Sequence, residues 1–161
     1  MDFEAPMDAW VVYIGVALVS MTLLGVALGF SPIPPPDANA AANTIDMAGG
    51  SSITGEAEYE QDAEWFWMDQ QQIALKNEGG QTKATIAFGE MTAVHYDERL
   101  SDVLYGSPVS EEFSSEYEFL AAVVAAQAAS EADRGDWQPA NGEIRARKVI
   151  VGDTDVILVD V

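Results

Sequence analysis

The chain has no cysteine, so disulfides and thiolate metal sites are excluded. It has one histidine, His95, which rules out HExxH motifs, Cys–His dyads and histidine-rich metal centres. Basic residues are scarce as well. Seven Lys and Arg stand against 27 Asp and Glu, for a net charge of −20. So negative a chain repels nucleic acid and anionic lipid headgroups, and no nucleic-acid partner is expected. Sequons are missing too. Asn39, Asn43, Asn77 and Asn141 all lack a hydroxyl residue two positions on, so no N-glycan is expected. Neither Gly49-Gly50 nor Gly79-Gly80 matches a phosphate-binding fingerprint, and there is no G-x-S-x-G elbow.

What is present is a chain 48% hydrophobic, which opposes disorder. Its carboxylates are dispersed rather than gathered in a tail. That pattern reads as the folded domain of a halophile, in which carboxylates hold water and cations against salt. An ordinary acidic protein is the alternative. One segment stands apart. Ala9 to Phe30 is an uncharged apolar run of 22 residues. As a helix it reaches about 33 Å, enough for a hydrocarbon core of about 30 Å. The expected organisation is therefore an acidic N-terminal tail over 1–8, a single transmembrane helix over 9–30 and a proline-rich linker over 31–36. An acidic soluble α+β domain over 37–161 completes it.

The apolar run exceeds the roughly 7–15 residues usual in a signal peptide, and no basic segment precedes it, so it reads as an uncleaved single-pass anchor. Trp10 and Tyr13 suit one membrane interface and Phe30 the other. Gly25 and Gly29, four apart, would let two helices approach closely and favour lateral association into homo-oligomers. The nearest basic residue is Lys76, so charge gives no orientation. Ser31 to Pro36 should form an extended stalk that lifts the domain from the surface.

Beyond the stalk, Asp37 can cap a short helix over Asp37 to Met47 that ends near Gly49, with Ala41, Ile45 and Ala48 on one face. Strand-like segments run over Glu56 to Glu60, Glu64 to Met68, Ile73 to Asn77 and Thr82 to Phe88. The last two flank a hairpin loop, Glu78-Gly79-Gly80-Gln81. Thr92 to Tyr96 extends the sheet. Asp97 caps a segment to Tyr105. Ser115 and Glu118 have capping-box spacing for a helix to about Asp133. On it Tyr117, Leu120, Val124 and Ala128 recur at helical spacing, as a buried stripe would. Asp133 to Asn141 is a turn-rich loop. Two strands, Glu143 to Val151 and Thr154 to Val161, close the chain around a Gly152-Asp153 turn. The order argues for α+β with a small antiparallel sheet and one or two helices.

Candidate sites are few. His95 could serve as a base or ligand, but without a partner motif it reads as a surface histidine at a strand end. Asp153, Asp155 and Asp160 could hold a divalent cation, yet they lack EF-hand spacing and fit the alternation of a hairpin. Glu111, Glu112, Glu116 and Glu118 read as an acidic helix start, where the macrodipole favours carboxylates. Trp65-Phe66-Trp67 is the most informative triplet. In a strand Trp65 and Trp67 share one face and Phe66 takes the other. The simpler reading puts the triplet in the core alone, and the alternative is that Trp65, Phe66 and Trp67 present an aromatic side to a partner or the membrane. No catalytic residue, metal or cofactor is expected.

The opening MDFEAPMDAW with its apolar run, then PPPDANAAANTID, QIALKNEGGQTKATIAFGEMTAV and GEIRARKVIVGDTDVILVDV, together resemble an uncharacterised haloarchaeal family of small membrane-anchored proteins. Such families are linked with archaeal type IV pilus or type II secretion-like systems. The resemblance spans the chain and implies a pilin-like or accessory role without chemistry. Partners would be the bilayer and other membrane, pilus or secretion-assembly proteins. The outline is pilin-like: an apolar helix, then a β-rich head facing the cell exterior. Two departures argue against a major filament subunit: no Lys or Arg precedes Ala9, and prolines interrupt the helix. A membrane-tethered sensory or ligand- or cation-binding module is the alternative.

Overall fold

A computed structural model describes the backbone of residues 7–29 and 33–161, with side chains in the first stretch described for Trp10 and residues 12–22. The tail over 1–6, Phe30 and the first stalk residues lie outside it. So does any packing at Gly25 and Gly29, whose surroundings are not among those described. The chain forms two compact units that divide between Ile33 and Pro34.

The first unit is helix α1, Met7–Gly29, of 23 residues. Its described large apolar side chains, among them Trp10, Tyr13, Leu18 and Met21, are exposed. Among the described residues no helix is long and apolar enough to cross a membrane.

The second unit is an α+β head. It opens at Pro34 and not at Asp37, because the last stalk residues are pinned to the head itself. The Pro34 carbonyl accepts from Asn77 Nδ2 at 3.0 Å, and the Pro36 carbonyl accepts from the Thr82 hydroxyl at 2.5 Å. Helix α2, Ala38–Gly49, follows, and Asp37 caps it as its sequence predicts by accepting from the N–H groups of Asn39 and Ala40.

Strands β1 (Glu56–Glu60), β2 (Trp65–Met68), β3 (Gln72–Asn77), β4 (Gly80–Thr85) and β5 (Met91–Ala93) come next. The β3–β4 turn is tighter than the sequence suggested. Asn77 pairs with Gly80, leaving Glu78-Gly79 as a two-residue loop. Asn77 Oδ1 accepts from the Gly79 N–H at 2.8 Å, and Gly80 takes a φ of 142°, which favours glycine. The strand expected over Thr92 to Tyr96 instead ends at Ala93, and a 3-10 turn over Val94–Tyr96 leads to Asp97. Asp97 caps α3, Glu98–Leu104, as expected.

The short α4, Val109–Glu112, precedes α5, Glu116–Ala132. The Ser115 hydroxyl accepts from the Glu118 N–H at 3.2 Å, while the Glu118 carboxylate turns back to the N–H of Ser114, not Ser115, at 3.0 Å. β6 (Gln138–Pro139), β7 (Glu143–Val151) and β8 (Thr154–Asp160) complete the head. Gly152 opens the β7–β8 turn with a φ of 59°, the position at which a type II′ turn needs glycine.

The strands form two sheets. The first runs β1-β7-β8-β5 and the second β4-β3-β2-β6. All pairings are antiparallel except β5 with β8, which is parallel. Strand β8 is buried on both faces over Val156 to Val159, which explains that unbroken apolar run. Ile144, Ala146, Ile157 and Val159 join α2 and the inner face of the second sheet in one core. Val149, Val151, Val156 and Leu158 pack with α3, α4 and α5 in another.

One helix face is reversed from expectation. On α5 the buried residues are Phe119, Ala122, Val123, Ala126 and Ser130. Tyr117 is 83% exposed and Val124 64% exposed. This helix is apolar nearly all round, so more than one arc satisfies the 3–4 spacing. Tertiary packing selects the arc whose Phe119 meets Phe113 edge-to-face at 5.3 Å.

Candidate functional site

The head's most distinctive surface is the outer face of the second sheet. Directly opposed residues of antiparallel strands share a face. Trp65 stands opposite Lys76, Trp67 opposite Ala74, and Ala74 opposite Lys83. The two tryptophans and two of the chain's three lysines therefore lie on one side. Phe66, Ile73 and Leu75 point the other way into the core. Phe66 thus leaves the surface expected of the triplet, as the period of a strand requires. Of the three, Trp65 is 42% exposed, while Trp67 is 8% exposed beneath Lys83. Lys83 Nζ lies 4.9 Å from the centroid of the Trp67 ring. Lys76 Nζ lies 5.6 Å from that of Trp137. Ring faces attract cations, so these stacks hold the ammonium groups flat along the sheet.

Trp137 reaches this face from the loop after α5. Asp69, at the end of β2, fastens that loop. Its Oδ2 accepts from Arg134 Nη2 at 2.6 Å and from Nε at 3.1 Å. Its Oδ1 accepts from the N–H groups of Gln71 and Gln72 at 2.8 and 2.7 Å. Burial alone raises this carboxyl's pKa. The Gln71 N–H, the Arg134 guanidinium and the Gln72 N–H outweigh it and hold the pKa below the ordinary carboxylate value. Pairing of β6 with β2 then places Pro139 opposite Trp65.

Charge sets this face apart. Strands β2, β3, β4 and β6 contain no Asp or Glu, in a chain that has 27. By contrast β1 alone carries Glu56, Glu58 and Glu60, of which the first two pair with Arg147 and Arg145. The lysine-bearing strands were visible in the sequence. What was missed is that Trp137 joins them, because that depends on the Asp69–Arg134 tie, between residues far apart in the chain.

Of the other sequence candidates, His95 and Asp160 line one small cavity of about 200 Å³, and the rest are engaged elsewhere or exposed. Asp155 pairs with Lys148 at 2.8 Å. Asp160 accepts from the Tyr105 hydroxyl at 2.8 Å and from Asn141 at 3.2 Å, and Asp153 is exposed. His95 lies with its ring 4.0 Å from Tyr96 and 5.9 Å from Phe66. Burial holds its pKa below the ordinary value against the pull of Asp160 and Asp133. Glu118 pairs with Arg99 at 2.8 Å, and Glu116 stands by the β7–β8 turn. A cavity of about 480 Å³ lies between α4, the start of α5 and that turn. Its Ser115 hydroxyl is already engaged as the helix cap. Among the described residues no group of three or more His, Cys, Asp or Glu is placed to hold a metal ion.

No curated protein and no solved structure matches this chain. A family model does, over residues 4–149, and the chain belongs to that family, described as a family of unknown function (DUF7283).

Proposed function

We propose that this protein is a non-enzymatic, membrane-anchored surface protein, a pilin-like or accessory component of an archaeal pilus- or secretion-type assembly. The observation that carries the reading is helix α1. It is uncharged from Ala9 onward, and its described apolar side chains are exposed on all sides. A helix apolar all round is covered by lipid or by other helices. The apolar sequence continues past the described side chains through Leu23 to Leu28, and 23 residues make about 34 Å of helix. The head, with its own two cores and its aromatic face, would serve partners outside the cell.

Flotation of the full chain with vesicles tests the anchor. Wild type is expected to rise with lipid and Leu18→Arg to stay in the soluble fraction. Equal partition of the two would overturn it. Protease shaving of intact cells in high salt tests the side of the membrane: peptides from residues 37–161 are expected before lysis. If they come only after lysis, although surface controls are cut, the exterior assignment falls.

The tryptophan and lysine face favours a second reading, a sensory or binding module whose head takes a ligand there. Saturable stabilisation of the protein by one ligand would support that reading over the first.

A further inference from the structure

We propose that the outer face of the second sheet rests on the surface of the lipid bilayer, with Lys76 and Lys83 at the phosphates and Trp65 and Trp137 at headgroup depth. The inference rests on the anchor reading above and adds how the head meets the membrane. Three observations carry it.

The first is charge. A chain of −20 is repelled by anionic headgroups, and most of its surface would set carboxylates against lipid phosphates. The four strands of this sheet contain none. Lys76 and Lys83 stand on this face with Trp65, Gln81 and Ala74 as their directly opposed residues. Second is side-chain type. Tryptophan and lysine are the residues that settle at membrane interfaces, the ring among headgroups and the ammonium at the phosphates. They are interleaved here: Trp65 beside Lys76, Lys83 above Trp67, Lys76 by Trp137.

Third is the attachment point. The chain enters the head at the β3–β4 hairpin, where Pro34 bonds Asn77 and Pro36 bonds Thr82. The exposed apolar stripe of α5, around Tyr117 and Val124, has no such tether.

The absence of cysteine makes the test clean. Single cysteines are placed at Gln81 and Thr85, beside Lys83 on the outer face, and at Glu58 in the other sheet as a control. Each carries a nitroxide, in full chain reconstituted into vesicles of equal parts phosphatidylcholine and phosphatidylglycerol. Collision with a water-soluble nickel complex is compared with collision with oxygen. The expected result is nickel access several-fold lower at residues 81 and 85 than at 58. Lys76→Gln with Lys83→Gln should restore access at 81 and leave 58 unchanged.

Equal access at all three sites, in protein that floats with the vesicles, would overturn the docking and leave the anchor standing. Shielding at 81 accompanied by spin–spin broadening that grows with protein-to-lipid ratio would assign the face to a second copy of the chain and overturn lipid docking. Protein that fails to float would overturn the anchor, and the docking with it.

Discussion

Lys148 offers a prediction whose two halves differ in size for a definite reason. It is 6% exposed on β7, with Nζ 2.8 Å from Asp155 Oδ2 and 2.7 Å from the Ser51 carbonyl. Asp155→Ala leaves an ammonium buried against a single neutral acceptor. Removing one partner of a buried pair costs about 3–5 kcal/mol. The Asp155 side chain is 57% exposed, so water already weakens the pair, and the expected loss falls to about 2–3 kcal/mol.

Lys148→Met behaves differently. It removes the charge together with its desolvation penalty and keeps the aliphatic volume. It forfeits the bond to the Ser51 carbonyl, about 1 kcal/mol. The expected net change stays within about 1 kcal/mol, and adding Asp155→Ala to it changes little more. Urea denaturation of the full chain in detergent micelles, followed by tryptophan fluorescence, measures all four corners of the cycle. The reasoning fails if Asp155→Ala lies within about 0.5 kcal/mol of wild type, or if Lys148→Met is the more damaging change. Either result would mean that the ammonium reaches water.

Further outcomes follow from the same geometry. Asp69 has a lowered folded pKa, so its contribution is complete above the ordinary value of about 3.9 and is lost as pH falls through the folded one. Asp69→Asn should therefore lose stability at neutral pH and show a shallower acid limb in thermal denaturation; unchanged slopes refute this. Tyr105 bonds Asp160 and is partly buried, and burial and Asp133 act on Tyr96, so both phenols are pushed up to about 12. Their contributions are complete below about pH 10 and vanish as pH rises toward 12, which an alkaline titration of tyrosinate absorbance reads. Phe119→Ala, in the fully buried centre of the second core, should cost about 3–5 kcal/mol. Ser115→Ala removes the cap of α5 and should cost about 1 kcal/mol in the same denaturation assay.

Local chemistry was the legible part of this fold. The caps at Asp37, Asp97 and Ser115 and the turn at Gly152 are each decided within a few residues, and each falls where the sequence puts it. Partition of the strands between two sheets was not legible. β2 pairs with β6 some 70 residues on, and β5 joins β8 in parallel, which no local pattern announces. The buried arc of α5 was misread for a related reason: an almost uniformly apolar helix records that it is packed but not on which side. At the candidate site the alternation of Trp65, Phe66 and Trp67 carried the right facing. The arrival of Trp137 depended on a tie between Asp69 and Arg134, which is tertiary.

The place of β8 has a consequence for how the protein is made. It is the last strand in chain order, yet it lies inside the first sheet, between β7 and β5. Neither core can close before it arrives, since both draw on its side chains. From Gly29 to Thr154 is 125 residues, roughly 6–25 s of synthesis at about 5–20 residues per second. Throughout that interval the head is still an open polyanion, because its last piece is also the piece that locks it.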